Sequence, residues 1–156
     1  MTDPPKRSGA RRWLPFAAIG LLPLTMAVWG FSRVLAPSVV TGRFVNRGGK
    51  YGDWTLTPTE CTSGQRAEFF GVILRSETPP LEARVIQDAT RRVSLDIDVP
   101  GTNQALTIDC PGLRANLVRT HSRFNGIWEM QGDAHVDCDG VLGGHLTGDL
   151  TFARCH

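Results

Sequence analysis

The stretch 128–152, WEMQGDAHVDCDGVLGGHLTGDLTF, decides what kind of fold this chain adopts. Apolar residues recur at every second position on both sides of a glycine-rich turn, which is the period of a strand with one buried face. The turn is predicted at 139–144, and the second strand is lined by Leu146, Leu150 and Phe152. The first strand places on its buried face Trp128, Met130, Ala134, Val136 and Cys138. The stretch therefore predicts two antiparallel strands.

The same period recurs upstream, with turn clusters between the apolar segments. No long amphipathic helical pattern accompanies it. Residues 58–66 are predicted to be a loop, and the last strand, LTGDLTF (146–152), a flat edge open to strand addition by a partner. The chain is therefore expected to be mainly β, a small antiparallel β-sandwich or partly open barrel. Further strands are predicted at 51–57, 68–75, 93–99, 106–110 and 113–117.

Near the N-terminus, residues 13–32, WLPFAAIGLLPLTMAVWGFS, contain no charged side chain. A helix of this length spans about 30 Å, the thickness of the hydrocarbon core of a bilayer. Arginines flank the segment, and a tryptophan near each end suits the membrane interface. We expect a transmembrane signal anchor at 13–35 that contacts the lipid bilayer, preceded by a basic cytoplasmic tail at 1–12.

Two alternatives to the anchor stay open. A cleaved signal peptide also begins with basic residues, but its apolar region is about 7–15 residues long, and here Pro37 directly follows the one small-residue cleavage candidate. A buried core helix rarely has so many residues without a charge. The lysine and arginine counts on the two sides are nearly equal, so the cysteines decide the predicted orientation, with the N-terminus in the cytoplasm.

After the anchor, residues 36–50 are predicted to be a linker and 51–156 a single exported β domain. Residues 37–156 carry 12 lysines and arginines against 14 aspartates and glutamates, a net charge of −2. The positive charge of the whole chain therefore comes from the flanks of the apolar segment. The domain has no basic footprint for nucleic acid, and we expect no nucleic-acid partner.

All four cysteines follow the apolar segment: Cys61, Cys110, Cys138 and Cys155. An even number in an exported domain of this size predicts two disulfides. If 139–144 closes a hairpin, Cys138 and Cys155 lie roughly 30 Å apart at ~3.3 Å per residue. A disulfide needs Cα atoms about 4.4–6.8 Å apart, which disfavours Cys138–Cys155. Because Cys110 and Cys138 both point inward by alternation, we favour Cys110–Cys138 with Cys61–Cys155. The alternative is a zinc site that includes His156, although the closely spaced ligand pairs of structural zinc sites are lacking.

Three outward positions of one strand, Asp133, His135 and Asp137, form a row of possible metal ligands at intervals of about 6.6–7 Å. Carboxylates and an imidazole can hold a divalent cation, but a flat row is a poor cage, and a solvated strand face is the favoured interpretation. The chain contains neither a GxSxG nor an HExxH motif. We therefore predict no catalytic residue, no cofactor, and a protein that is not an enzyme.

Residues 60–71, ECTSGQRAEFFG, form the most individual segment of the domain. A loop held by a disulfide and followed by Phe69 and Phe70 could present a binding surface. The alternative is that one phenylalanine packs inward and the cysteine only crosslinks the loop. Phe69 and Phe70 are thus the candidate binding residues.

The general layout, one N-terminal membrane helix before a small antiparallel exported domain, resembles that of the bitopic subunit of the lipopolysaccharide export bridge. The run GDAHVDCDGVLGGHLTGDLTF (132–152) has a similar rhythm of strands and glycines. The four cysteines are not part of that layout, and no functional residues carry over. We expect a single-pass cell-membrane protein whose extracytoplasmic domain is a binding or scaffold module of the cell envelope with a protein partner. The alternatives are a lipid or glycolipid carrier with an apolar groove between the sheets, and a metal- or pH-dependent enzyme.

Overall fold

Ten strands account for most of the part of the chain that the computed structural model describes, which is residues 37–98, 105–141 and 143–156. The predicted tail at 1–12 and the whole of the predicted anchor at 13–35 are among the residues outside it. Within the described residues, no helix is long and apolar enough to span a membrane. The strands form two antiparallel sheets, which confirms the mainly β prediction.

The first sheet consists of β1 (Val39–Gly48), β2 (Trp54–Leu56), β8 (Arg114–Phe124), β9 (Ile127–Val141) and β10 (Gly144–Cys155). The second consists of β3 (Glu60–Ser63), β4 (Gly71–Glu77), β5 (Pro80–Gln87), β6 (Val93–Asp98) and β7 (Ala105–Ile108). The order of strands is β2–β1–β10–β9–β8 in the first sheet and β3–β4–β5–β6–β7 in the second. A turn of 3₁₀ helix, Gly64–Ala67, connects β3 to β4.

The inner faces of the two sheets meet in one hydrophobic cluster, as in a sandwich. The period-two pattern predicted most of its members on β9, β10 and β6 correctly, since these side chains are at most a few per cent exposed: Met130, Ala134, Val136, Cys138, Leu146, Leu150, Phe152, Leu95 and Ile97. Trp128 and Val93, which the pattern places on the same faces, are half-buried. From the first sheet the cluster includes Phe44, Leu56, Met130, Val136, Leu146, Leu150 and Phe152. From the second it includes Val72, Leu74, Ala83, Val85, Leu95, Ile97 and Ile108.

The predicted linker at 36–50 is wrong, because β1 occupies most of it and pairs with both β2 and β10. The alternation is hidden in the sequence since the inward positions of β1 are not all apolar. Phe44 is fully buried, but the next inward residue is the amide Asn46, which is only 1% exposed. A buried amide needs hydrogen-bond partners, and the adjoining turn supplies two acceptors for its Nδ2.

The predicted loop at 58–66 contains β3, a four-residue strand whose composition, ECTS, gives little strand signal. It is a strand because it pairs with β4, with Cys61 opposite Leu74. Pairing with a distant segment overrides weak local preference in such short strands.

The prediction that the last strand is an open edge is wrong, because β10 lies between β1 and β9. Glycines lie where β10 and β1 approach each other most closely. A Cβ at Gly148 would meet the carbonyl oxygen of Arg43 in β1, and a Cβ at Gly42 would meet that of Asp149 in β10. These glycines therefore permit close pairing of two central strands.

Glu82, on the outer face of β5, accepts hydrogen bonds from two arginines. Arg75 donates Nε at 2.9 Å, and Arg84 donates Nε at 3.0 Å and Nη2 at 2.9 Å. Partial burial raises the pKa of Glu82, but these hydrogen bonds outweigh it, so the pKa lies below the usual 4.5. A carboxyl group with a lower pKa in the folded state stabilises the fold above its unfolded pKa, and the effect is lost as the pH falls through the folded pKa.

We predict that Glu82→Gln removes part of the acid sensitivity of the fold. In wild-type protein the urea midpoint should fall between about pH 7 and about pH 3, because protonation of Glu82 opposes the folded state. The variant should be less stable than wild type at the higher pH and lose less on acidification. Glu77→Gln, an exposed position on the adjacent strand, is the control. Equal acid losses in wild type and Glu82→Gln would contradict the prediction.

Candidate functional site

Two disulfides join distant strands, as predicted: Cys61–Cys155 links β3 to β10, and Cys110–Cys138 links the segment after β7 to β9. Their Cα atoms are 4.9 Å and 6.1 Å apart, within the usual range for a disulfide. This is the pairing that the register argument favoured. No cysteine is free in the described part of the chain, so thiolates for the zinc alternative are not present there.

The Cys61–Cys155 disulfide marks the end of the domain at which the described chain begins. The Cys61 N–H donates to Ser38 Oγ at 3.2 Å, and Val39 pairs with Ala153. Because β9 runs antiparallel to β10, its first residues and the β8–β9 turn lie at this same end. The 3₁₀ helix after β3 completes the group of segments there.

Aromatic and arginine side chains from both sheets come together at this end. The Arg119 guanidinium lies 5.6 Å from the ring centroid of Phe70 and 5.8 Å from that of Trp128. The Arg123 guanidinium lies 5.1 Å from the Trp128 ring. Cation–π contacts of this kind fix the position of an arginine while leaving its N–H edges available. We call Phe69, Phe70, Arg119, Arg123 and Trp128 the aromatic–arginine surface.

A cavity of about 390 Å³ opens beside this surface. Its volume falls in the range of about 300–1,000 Å³ typical of small-ligand sites. Both polar and apolar side chains line it, so it suits a ligand that carries both kinds of group. Its lining consists of Ser63, Gln65, Glu68, Phe69, Phe70, Gly71, Arg119 and Met130.

Gln65 holds the 3₁₀ helix against the β8–β9 turn and so shapes the cavity. Its Oε1 accepts from the Trp128 N–H at 3.1 Å, and its Nε2 donates to the Gly126 carbonyl at 3.4 Å. The same carbonyl accepts from Arg123 Nε at 2.8 Å. The turn and the helix are therefore positioned before any ligand arrives, which lowers the entropic cost of binding.

The two candidate phenylalanines differ in their surroundings, although both are half-buried. The Phe69 ring lies against the backbone of Gly64 and Gly71, where any Cβ would meet it. Phe70 packs partly against the hydrophobic core and stacks with Arg119 on its other side. Both therefore have structural contacts and also line the cavity.

The arginines of this surface carry charge that the described part of the domain does not neutralise. Within it, no carboxylate oxygen lies within 4.0 Å of the guanidinium nitrogens of Arg119 or Arg123. Arginine stacked on an aromatic ring is weakly hydrated and presents paired donors that match a carboxylate or phosphate. The surface can therefore bind an anionic group that has apolar neighbours.

The row Asp133, His135 and Asp137 lies on the exposed face of β9, as predicted, and the described residues contain no cluster of three side chains able to hold a metal. Nδ1 of His135 lies 2.7 Å from Oδ1 of Asp149, the residue directly opposite on β10. Nε2 of His145 lies 3.5 Å from Oδ1 of Asp137. The imidazoles thus pair with carboxylates across strands instead of converging on one point.

Sequence reasoning missed the arginines of the site. Arg119 is exposed and lies on β8 where the pairing with β9 becomes irregular. An exposed arginine on a strand is ordinary surface, so the sequence gives no signal for it. Its partner Phe70 directly precedes β4 of the other sheet, which the sequence does not indicate.

Comparison of the chain with models of protein families, with curated proteins and with solved structures finds no match in any of the three. The two antiparallel sheets and the two disulfides define the described part of the chain as a disulfide-bonded, two-sheet β domain.

Proposed function

We propose that this protein is a single-pass membrane protein whose β domain is a binding module of the cell envelope, and that it recognises a protein partner through the aromatic–arginine surface. The charge-free segment 13–32 supports the membrane anchor. The two disulfides support an exported domain, because such bonds form and persist in oxidising compartments.

The observation that carries the proposal is the stacking of Arg119 with Phe70 and Trp128 beside a preformed cavity. Tryptophan and arginine are enriched among the residues that contribute most to protein–protein affinity. An acidic side chain or a terminal carboxylate of the partner would pair with Arg119, and an apolar neighbour would enter the cavity. The proposed partner segment is therefore acidic and apolar at adjacent positions.

Recognition at the surface is favoured over the alternative of a lipid carrier. A carrier needs an apolar groove between its sheets, whereas the described inward faces pack against each other in one cluster. The side chains that would line such a groove include Phe44, Phe152 and Leu150, each at most 1% exposed.

We predict that Arg119→Glu abolishes partner binding. A photo-crosslinking residue placed at Phe69 in the full chain, in its native cells, should give one crosslinked protein product. That product should disappear in Arg119→Glu, because the reversed charge repels an acidic segment, and the affinity for the purified partner should fall about 30-fold or more. Arg114→Glu, at an exposed position on the same strand, should leave both the crosslinked product and the affinity unchanged.

Two results would contradict this proposal. One is a crosslinked product that is equally strong in Arg119→Glu and in Arg114→Glu. The other is a crosslink to lipid alone, which would favour the carrier.

Membrane placement has its own test, in which an impermeant thiol reagent is added to intact cells with and without reductant. Labelling should require reductant and then occur from outside, whereas four reactive thiols on the cytosolic side would refute export.

A further inference from the structure

A second cavity, of about 440 Å³, lies at the opposite end of the domain. β4 connects the two ends, since Gly71 at its start lines the first cavity and Pro79, just after its end, lines the second. The second cavity is placed between the β1–β2 turn and the β4–β5 turn. Its lining consists of Asn46, Arg47, Asp53, Trp54, Thr55 and Pro79.

Within the described residues, two buried polar atoms of residues that line this cavity have no hydrogen-bond partner: Asn46 Oδ1, an acceptor, and Trp54 Nε1, a donor. Asn46 is 1% exposed and Trp54 is 8% exposed, and the two residues are directly opposite each other in the β1–β2 pair. Burying such groups unpaired is costly, and native structures rarely retain them without a reason. A ligand group that both donates and accepts would satisfy the two atoms together.

The orientation of the Asn46 amide is fixed by the turn. Its Nδ2 donates to the carbonyls of Gly48 at 3.0 Å and Gly52 at 2.8 Å, so the oxygen is directed elsewhere. The turn is also held by Asp53, whose Oδ1 accepts from the Gly48 N–H at 2.7 Å. The site is therefore ordered before a ligand enters.

The rim adds a charged donor and a charged acceptor. Arg47 Nη1 lies 3.3 Å from Asp53 Oδ2, and both side chains are mostly exposed. The Gly48 N–H and the Arg47 guanidinium hold the pKa of Asp53 below its usual 3.8, so the carboxylate accepts hydrogen bonds at neutral pH. A rim of this kind suits neighbouring hydroxyls, each of which can donate to Asp53 or accept from Arg47.

From the orphaned Asn46 and Trp54 atoms and the Arg47–Asp53 rim, we infer that this cavity is a binding site for a neutral saccharide. A sugar hydroxyl satisfies a buried donor and acceptor at once, and its ring carbons contact the apolar wall formed with Pro79. A peptide added as a strand fits less well, because β2 is only three residues long. The inference concerns a site separate from the aromatic–arginine surface and does not depend on the proposed function.

The test is an NMR titration of the full chain, labelled with ¹⁵N at tryptophan, in a detergent without a sugar headgroup. The probes are the methyl glycosides of glucose, mannose and N-acetylglucosamine. At least one should shift the indole N–H signal of Trp54 in a saturable manner and leave that of Trp128 in place. Trp54→Phe assigns the signal, and sorbitol controls for general effects of polyols.

Arg47→Ala should raise the midpoint concentration of the sugar about tenfold, because hydrogen bonds to a charged group are lost while the bond from the Gly48 N–H to Asp53 stays in place. The Arg47 side chain is exposed, so the fold should survive. Arg75→Ala, an exposed arginine on the other sheet, should leave the midpoint unchanged. The inference is overturned if no glycoside moves the Trp54 signal or if sorbitol moves it equally. It is also overturned if N-methylacetamide, which mimics a peptide group, moves the Trp54 signal and the glycosides do not.

Discussion

Replacing Cys61 and Cys155 together by alanine should lower the free energy of unfolding by about 4.7 kcal/mol, the value expected from the chain entropy of so long a closed loop. The two residues are 94 positions apart, so the crosslink removes much freedom from the unfolded chain. Both are buried, at 3% and 0% exposure, and alanine adds no polar group to the core. Urea unfolding of the full chain in detergent, followed by tryptophan fluorescence, measures the change.

The matched control is Cys110→Ala with Cys138→Ala. These residues are 28 positions apart, and the same relation gives about 3.6 kcal/mol. The longer loop should therefore show the larger loss. Equal losses or the reverse order would show that native contacts, and not loop length, govern the stabilisation.

This size of effect bears on where the protein can fold. Domains of this size are typically stable by only about 5–15 kcal/mol. Loss of both disulfides would remove a large share of that stability, so in a reducing compartment much of the chain should be unfolded. The proposal of an exported domain and the predicted stability loss therefore support each other.

Phe44→Ala should destabilise the domain by about 3–5 kcal/mol, as is usual for a large aromatic side chain removed from a packed core. Phe44 is fully buried on the inner face of β1, opposite Leu56 on one side and Gly148 on the other. Since Gly148 has no side chain, the neighbouring strand offers little that could fill the space. The same urea titration measures the loss.

Val39→Ala on the same strand is the control, because Val39 is 40% exposed. Exposed positions away from special features usually change stability by no more than about 0.5 kcal/mol. If Phe44→Ala were as mild as Val39→Ala, β1 would not be part of the core. The corrected assignment of residues 39–48 as a central strand would then be refuted.

The candidate site could be predicted only in part. Phe69 and Phe70 were identifiable because an aromatic pair followed a cysteine-bearing loop, and both line the first cavity. Arg119 was not, since its partner Phe70 is distant in sequence and precedes a strand of the other sheet. Asn46 and Trp54 were missed for a related reason, because their segment looked like a linker and the start of a strand.

Alternation along a strand is a local property, so the sequence by itself determined which residues of β6, β9 and β10 face inward. It also favoured the observed cysteine pairing, because the spacing along one hairpin disfavours Cys138–Cys155 and alternation points Cys110 and Cys138 inward. Which strands become neighbours depends on contacts between residues far apart in the chain, and short polar strands have no local signal. Only the tertiary structure therefore decided that β1 pairs with β10 and that Arg119 stacks on Phe70.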